Sequence, residues 1–462
     1  MIMRKEIFNV LLFAVLAVIA CTPEDNGGHT GTDKPIVPIE DPYAVELSNS
    51  NFENDFEGWE IKKYHNGDKT LVSIAEGQGV KNSKCLKIQQ FPENGKCCVG
   101  VERVLTGLDP DQMYRASVRI RYSDIPNGEG TGPVIFSPNN KQYWNSSKYL
   151  YGTELETWTN VVVDFMSDDK GEAKLTVALG FWQGGMANGG RSTGTAYFDN
   201  VSLKKVTDEL FQVESDHMRI YFEPAKVTVS TDILQKWVDN IDPMYEAMVE
   251  LMGAAPHEGR RLAIQTTQGI YSGYWALAGY PILWSIYPYT STRVEEALAQ
   301  IKDYEDMSFG LMHEMGHVFN LGNTSWNWND EMFANFRMHY ALEKTGLKVY
   351  QTDENGESKV FTGGEILNLY KVSYEKTVGT KVNDNGIHYM IARMAQQIGW
   401  EPYCKTFSHL RQNGGSGSTK YEKFQHFIQT LSRFATEHHG RTIDCMDYFT
   451  QAEINSIKKQ LQ

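Results

Sequence analysis

The sequence between residues 308 and 320 reads Ser308-Phe309-Gly310-Leu311-Met312-His313-Glu314-Met315-Gly316-His317-Val318-Phe319-Asn320. It contains the spacing His-Glu-x-x-His. Residues four apart on a helix lie one above the other, so His313 and His317 can bind one metal ion while Glu314 lies beside it. The stretch therefore predicts a zinc site on a helix that is buried by its apolar residues.

A catalytic zinc needs a third protein ligand and an open position for water. Glu331 lies fourteen residues after His317, at the start of a helix that Asn329 or Asp330 would cap. We favour Glu331 because Asn335, one turn further, can then accept a hydrogen bond from the outer nitrogen of a zinc-bound imidazole. Asp330 remains the competing ligand.

These residue types also predict a hydrolytic mechanism. Zinc lowers the pKa of a bound water and polarises a carbonyl, while Glu314 can take the water proton and pass it to the leaving amine. The oxyanion that forms needs a second hydrogen-bond donor. Tyr389 and His388, on a helix that begins near Asn383 or Asp384, are the two candidates, and we expect Tyr389 to be the catalytic one.

Three further segments carry a family resemblance. They are Ala278-Gly279-Tyr280-Pro281-Ile282, Trp326-x-Trp328-Asn329-x-Glu331 and Ile398-Gly399-Trp400. Together with the histidine helix, they resemble the enhancin-like gluzincin peptidases, which include bacterial enzymes that cleave mucins and other O-glycosylated proteins. The resemblance implies a zinc-dependent metalloendopeptidase with His313, His317 and Glu331 as ligands and Glu314 as the base. It also implies that residues 278–282 lie along the substrate cleft.

The first half of the chain has a different pattern, with short segments of alternating apolar and polar residues from Leu47 to about Val206. Period-two alternation predicts half-buried strands, and the turn clusters between them predict an antiparallel sandwich, most simply a jelly roll. After Lys205 helical periodicity dominates, with strand-like residues at 210–230 and 260–290. We therefore expect an α+β zincin domain with a mainly helical C-terminal lobe. Its first helix, capped by Thr231, should be interrupted at Pro243.

The ends of the predicted sandwich carry a second resemblance. The segments Asn51-Phe52-Glu53, Gly58-Trp59 and Phe198-Asp199-Asn200-Val201-Ser202-Leu203, with Trp158 between them, resemble the jelly-roll carbohydrate-binding modules of secreted bacterial enzymes. That resemblance implies a structural calcium ion bound by Glu53 and Asp199, whose carboxylates are the hard oxygen ligands that calcium prefers. It also implies glycan binding, for which Trp144, Tyr149, Tyr151 and Trp182 are candidate stacking platforms.

The N-terminal sequence predicts export and anchoring. Two early positive charges and an apolar run make residues 1–20 a signal peptide, and Val18-Ile19-Ala20-Cys21 resembles a lipobox in which Cys21 receives lipid. The predicted organisation is a signal at 1–20, a flexible linker at 21–45, the sandwich at 46–206 and the peptidase domain at 207–462. We expect a bacterial envelope lipoprotein, displayed on the outer membrane.

Charge and cysteine content exclude other classes. The 44 Lys and Arg residues against 58 Asp and Glu residues give a net charge of −14, which is unfavourable for binding a phosphate backbone, so no nucleic acid partner is expected. The six cysteines are scattered, so we expect neither a cysteine metal site nor a disulfide scaffold, although Cys404 and Cys445 could form one bridge.

The leading hypothesis is a surface-anchored zinc peptidase whose substrate is a mucin-type O-glycoprotein and whose N-terminal module binds glycans. The alternative is a glycan-binding surface lipoprotein with a vestigial peptidase domain. Replacement of Glu314 by Gln separates them, because only the first hypothesis predicts a large loss of peptide cleavage.

Overall fold

The computed structural model describes residues 41–128, 130–138, 145–181, 190–269, 275–286, 293–304, 306–352 and 357–462. The predicted signal peptide, Cys21, most of the linker, Trp144 and Trp182 lie outside these ranges. Residues Tyr43–Gln462 form one compact unit. Within the described ranges, none of the helices combines the length and the apolar character that a membrane crossing requires.

In the described residues, eleven strands build the predicted sandwich. They are β1 (Ala44–Val45), β2 (Glu60–His65), β3 (Leu71–Ala75), β4 (Cys85–Gln90), β5 (Cys98–Leu105), β6 (Met113–Ile125), β7 (Pro133–Ser137), β8 (Asn145–Ser146), β9 (Gly152–Met166), β10 (Ala173–Leu179) and β11 (Gly194–Lys205). One sheet has the order β3-β4-β11-β6-β9 with β1 on β11, and the other has the order β2-β5-β10-β7-β8. All the pairings are antiparallel.

The core of the sandwich lies between the two sheets. Val118 and Ile120 from β6 and Val177 and Leu179 from β10 are fully buried in one apolar cluster, as the alternation predicted. Arg119, between the first two, is exposed on the outer face. In β6 the period-two pattern is thus the pattern of one buried and one solvated face, whereas β10 also buries Thr176 and Ala178 on its other face.

The second half contains a mixed sheet and a small sheet. The strands are β12 (Phe211–Glu214), β13 (Met218–Phe222), β14 (Leu262–Thr267), β15 (Ala276–Leu277), β16 (Ile282–Ser285), β17 (Met307–Ser308), β18 (Val349–Thr352) and β19 (Ser358–Phe361). The mixed sheet has the order β12-β13-β14-β16-β15. Its three central strands are parallel, and both outer strands run antiparallel to their neighbours. Strand β17 leads directly into the histidine helix.

Helices dominate the rest of this half. They are α1 (Thr231–Met252), α2 (Arg293–Tyr304), α3 (Phe309–Val318), α4 (Asp330–Thr345), α5 (Gly363–Thr377), α6 (Asp384–Ile398), α7 (Glu401–Asn413), α8 (Lys420–His439) and α9 (Gln451–Leu461). The expected α+β fold with a helical C-terminal lobe is confirmed.

The predicted interruption of the first helix is wrong. Helix α1 runs continuously through Pro243, and Ser230 rather than Thr231 is its N-cap. Pro243 lies on the exposed side, while Ile241, Met244 and Met248 stay on one fully buried face. A proline inside a helix costs about 3 kcal/mol. Packing of the continuous apolar face against β13 and α4 offsets that cost.

The sandwich and the α+β half contact each other directly. Arg260 Nη1 lies 2.5 Å from Asp111 Oδ1, and Gln265 Nε2 donates to the backbone oxygen of Asp164 at 2.6 Å. An apolar cluster joins both halves and consists of Met113, Met166, Val206, Leu210, Tyr221 and Ala263, with Tyr280 packed against it. These contacts hold the two halves in one orientation.

The cysteines form no bridge in the part of the chain that the structure describes. Cys85, Cys97, Cys98, Cys404 and Cys445 form no disulfide with one another, so the bridge considered between Cys404 and Cys445 is absent. Four of these side chains are buried. They behave as small apolar residues of the core.

Candidate metal centre and active site

The histidine helix begins at a cap and packs closely on the next helix. The Oγ atom of Ser308 accepts a hydrogen bond from the backbone N–H of Leu311, which satisfies one free donor of the first turn of α3. Gly316 lies against α4, where an added Cβ would stand 2.4 Å from the backbone oxygen of Ala334. Glycine therefore allows the two helices to approach closely enough to share a site.

Three donor atoms meet where α3 faces the start of α4. The Nε2 atoms of His313 and His317 are 3.1 Å apart, and Oε2 of Glu331 lies 3.2 Å from the first and 3.5 Å from the second. Among the described residues, this is the one group of three or more His, Cys, Asp or Glu side chains that could hold a metal ion.

The donor set fits a zinc ion. With zinc–ligand distances of about 2.0–2.1 Å, the ligands of a tetrahedral ion stand roughly 3.3 Å apart, close to the observed spacing. Two imidazoles and one carboxylate also leave a fourth position open, as a catalytic site requires. The exposed Glu331 side chain lies on the solvent side of the group.

The outer nitrogens of both imidazoles are also engaged. Nδ1 of His313 lies 2.8 Å from Oδ1 of Asn335, the contact expected from the sequence, and Nδ1 of His317 lies 2.7 Å from Oδ2 of Asp330. A carboxylate only accepts, so Nδ1 of His317 carries a proton, and Nε2 is the nitrogen that can bind a metal ion. Asp330, which the sequence offered as an alternative third ligand, therefore orients the ring of the predicted ligand His317.

The support behind Asp330 was not foreseen from the sequence. Its Oδ1 atom accepts from Asn327 at 3.0 Å and lies 3.4 Å from Nη1 of Arg337. Arg337 is fully buried, and burial lowers its pKa to about 10. Burial alone would raise the pKa of Asp330, but His317 and Arg337 hold it below its usual value. The sequence contains one signal for this contact: Arg337 follows Asp330, at the acidic start of the helix, by two helical turns.

Glu314 lies beside the three ligand side chains in a half-buried position. Burial raises its pKa, while the two histidines and a hydrogen bond from the backbone N–H of Ala278 act in the opposite direction. A carboxylate with a raised pKa is suited to accept a proton and release it again. Ala278 belongs to the segment that the family resemblance placed along the cleft.

A recess of about 320 Å³ opens next to His313 and Glu314. Its walls combine aromatic and polar side chains: Trp275, Trp284, Arg293, Ser308, Phe309, Asn335, Tyr350 and Gln351. Such a mixture of flat apolar surface and directed polar groups is typical of a substrate pocket.

The two candidate oxyanion donors, His388 and Tyr389, lie in other surroundings than the recess. His388 is buried, and its Nε2 atom lies 3.1 Å from Nδ1 of His339 on α4. Tyr389 packs against the ring of Tyr374 and the guanidinium of Arg393. Neither residue lines the recess at His313 and Glu314. The sequence could not show which face of α6 meets α4.

The carboxylates predicted to bind calcium lie on either side of residues 80–84. Asp199 is fully buried and accepts hydrogen bonds from the backbone N–H groups of Val80 and Asn200, both at 2.7 Å. Glu53 accepts from the backbone N–H of Lys84 at 3.0 Å. Burial raises the pKa of Asp199, and the charge of Glu53 adds to that shift. A calcium ion here stays a prediction.

The two described stacking candidates have packing roles. Tyr151 packs on the sandwich core and donates to the backbone oxygen of Gly130 at 2.8 Å. Tyr149 packs on a small cluster with Val134, Phe136 and Ala178. The other two candidates, Trp144 and Trp182, lie outside the described residues.

The fold and the site together define a class. An α+β domain that places two histidines, one further carboxylate and a half-buried glutamate beside a pocket has the arrangement of a metal-dependent hydrolase. Residues 202–439 match the family described as peptidase M60, enhancin and enhancin-like. This match covers more than half of the chain, so the protein belongs to that family of metallopeptidases, as the resemblance predicted.

Comparison with other known proteins concerns the sandwich. No curated protein matches the chain. A TmCBM61 module in complex with β-1,4-galactotriose is 14% identical at a TM-score of 0.25, covering 35% of this chain and 97% of that one. The CBM22-2 xylan-binding domain of Xyn10C from Paenibacillus barcinonensis is 13% identical at 0.24, covering 34% and 98%. A family 16 carbohydrate-binding module is 19% identical at 0.22, covering 34% and 96%. The evidence for the sandwich fold is the pairing of its own strands.

Proposed function

We propose that the protein is a zinc metalloendopeptidase that hydrolyses peptide bonds in mucin-type O-glycoproteins at the bacterial cell surface. The observation that carries the proposal is the meeting of His313, His317 and Glu331 within hydrogen-bond distance of one another, with the half-buried Glu314 beside them. His313, His317 and Glu331 would hold the zinc ion. When bound, zinc supplies a Lewis acid that acidifies water and polarises a carbonyl.

The chain's own residues supply the rest of the chemistry. Glu314 accepts the proton of the attacking water and passes it to the amine that leaves, so the proton count balances over one turnover. Asn335 and Asp330 keep both imidazoles in the orientation that directs their Nε2 atoms to one point. Trp275 and Tyr350 line the recess in which a substrate side chain would lie.

The glycoprotein substrate and the location are inferred from the organisation of the chain. A peptidase domain gains specificity from a sandwich held rigidly beside it when that sandwich binds the sugars of the same substrate. Calcium bound by Glu53 and Asp199 would stabilise the sandwich without taking part in hydrolysis. The predicted lipid on Cys21 would keep the enzyme on the outer membrane, where extracellular glycoproteins are available.

The first experiment compares the wild type with Glu314→Gln. Gln keeps the size of the side chain but cannot accept the proton. We expect bound zinc to remain near one ion per chain by elemental analysis, while cleavage of an O-glycopeptide falls by a factor of about 10² or more. An exposed Glu437→Gln variant controls for the loss of one charge. Zinc binding without cleavage by the wild type would instead favour the glycan-binding lipoprotein.

The second experiment concerns the substrate. Matched peptides with and without one O-linked glycan are incubated with the wild type, and the products are mapped by mass spectrometry. We expect cleavage next to the glycosylated residue and little cleavage of the bare peptide. Equal rates on both would reject the glycoprotein specificity and leave an ordinary zinc peptidase.

A further inference from the structure

The outer face of the β3-β4-β11-β6-β9 sheet carries a polar recess that the proposed hydrolysis does not use. The recess has a volume of about 580 Å³ and is lined by Ser117, Arg119, Trp158, Asn160, Asn200 and Ser202. All six residues come from the adjacent strands β6, β9 and β11. A rigid sheet thus presents one aromatic ring and several hydrogen-bonding groups to solvent.

Strand register explains why these residues meet. Arg119 is paired with Asn160 across β6 and β9, and Ser117 is paired with Ser202 across β6 and β11. The register between β6 and β11 shifts between Asp199 and Ser202, where Asn200 has a φ of 50°. Such a bulge turns a side chain away from the regular pleat and into a local recess.

Two arginines of β6, Arg119 and Arg121, have no carboxylate partner among the described residues, whereas Arg115 on the same strand pairs with Asp164. Within the part of the chain that the structure describes, neither Arg119 nor Arg121 forms an ion pair, and the side chains of Arg119, Asn160 and Asn200 make no hydrogen bond. Arg119 is exposed. In a chain with a net charge of −14, two arginines that form no ion pair make a local positive site.

The aromatic ring beside Arg119 is held in place. The guanidinium of Arg121 lies 4.8 Å from the ring centroid of Trp158 and 5.2 Å from that of Tyr197. It also donates to the backbone oxygens of Gln78 at 2.6 Å and Leu155 at 3.2 Å. Cation–π contacts and these hydrogen bonds fix the indole ring, which lowers the entropy lost when a ligand stacks on it.

We propose that this recess binds an acidic saccharide, meaning a sugar that carries a carboxylate or a sulfate. Arg119 would pair with the anionic group in the fork geometry that guanidinium offers to oxyanions. Trp158 would contact the apolar face of the ring, and the hydroxyls of Ser117 and Ser202, which lie 2.7 Å apart, would bind sugar hydroxyls. The proposal deepens the proposed function, on which it rests, by naming the glycan class that the sandwich selects.

Calorimetric titration of the full chain with sialyllactose, galactose sulfate and neutral lactose tests the proposal. We expect sialyllactose or galactose sulfate to bind about tenfold tighter than lactose. Arg119→Ala should remove that preference, Trp158→Ala should weaken binding of all three sugars, and Lys170→Ala, an exposed cation elsewhere on the sandwich, should change nothing. Circular dichroism verifies that each variant is folded.

Three results would overturn the inference. They are equal binding of acidic and neutral sugars, an Arg119→Ala variant that binds like the wild type, and Arg119-dependent binding to phosphatidylglycerol vesicles without binding to any of the sugars. None of these sugars contains a peptide bond, so the test is independent of hydrolysis. Loss of sialyllactose binding in Arg119→Ala together with an inactive wild-type peptidase would leave this inference standing and reject the proposed function.

Discussion

His317 and Asp330 form the closest contact behind the metal group, with Nδ1 of the ring 2.7 Å from Oδ2 of the carboxylate. The next residue, Glu331, directs its own carboxylate at the opposite nitrogen of the same ring. Two consecutive acidic residues at the start of α4 therefore act on two sides of one imidazole. One orients it, and the other shares its predicted ion.

Replacing Asp330 tests this division of labour. In Asp330→Ala, His317 loses the acceptor that fixes its tautomer, so we expect zinc affinity to fall by a factor of about 10–100. The measurement is competition with a fluorescent zinc chelator. Asp303→Ala, an exposed acid on α2, is the charge control. Unchanged zinc affinity in folded Asp330→Ala would show that the contact does not support the metal site.

The close approach of α3 and α4 gives a second prediction. In Gly316→Ala, the new Cβ would meet the backbone oxygen of Ala334 at 2.4 Å, so the helices must separate. We expect a loss of stability of about 1–3 kcal/mol and weaker zinc binding, because Glu331 moves away from the histidines. Gly364→Ala in α5 is the matched control, since its Cβ would meet no atom within 4 Å. Denaturant unfolding and zinc titration measure the two effects.

A third prediction concerns acid sensitivity. His388 is fully buried among Phe336, Tyr370 and His339, and burial lowers its pKa well below the ordinary 6.5. The unfolded chain binds a proton as the pH falls through about 6.5, whereas the folded chain does not. The free energy of unfolding should therefore fall below that pH by up to about 1.4 kcal/mol per pH unit.

Urea unfolding between pH 8 and pH 5 measures this slope. His388→Gln should be less stable at neutral pH but should lose less stability on acidification, because the group that resists protonation is gone. His438→Gln, on the surface, should follow the wild type. An identical acid slope in wild type and His388→Gln would show that other groups cause the sensitivity.

The sequence predicts those parts of this site whose residues are close together along the chain, and not those that depend on contacts between distant segments. The spacing from His313 to His317 and from Glu331 to Asn335 is local helix geometry, so the sequence alone is enough to identify these residues. The roles of Asp330 and Glu331 depend on how α4 approaches α3. That approach depends on Gly316, whose contact with Ala334 has no local signature.

The same distinction applies to the two candidate residues on α6. Periodicity predicts the helix itself, but His388 and Tyr389 are adjacent and project in different directions. Packing against α4 decides that His388 faces His339, and no nearby residue encodes that contact. In the sandwich, alternation predicts which side of a strand is buried, whereas the neighbours of Arg119 depend on strand order and on the bulge at Asn200.

Removal of the metal gives the last prediction, which separates folding from catalysis. A ligand that binds only the folded state stabilises it by an amount that grows with concentration, about 4 kcal/mol at a thousandfold excess over Kd. Treatment with a chelator such as phenanthroline should therefore abolish cleavage and lower the melting temperature, and added zinc should restore both. His313→Ala should show the lower melting temperature without any response to zinc. The melting transition should report the α+β half, since the donor group lies wholly on α3 and α4. If neither the melting temperature nor the activity of the wild type changes with chelator or zinc, no metal is bound by His313, His317 and Glu331.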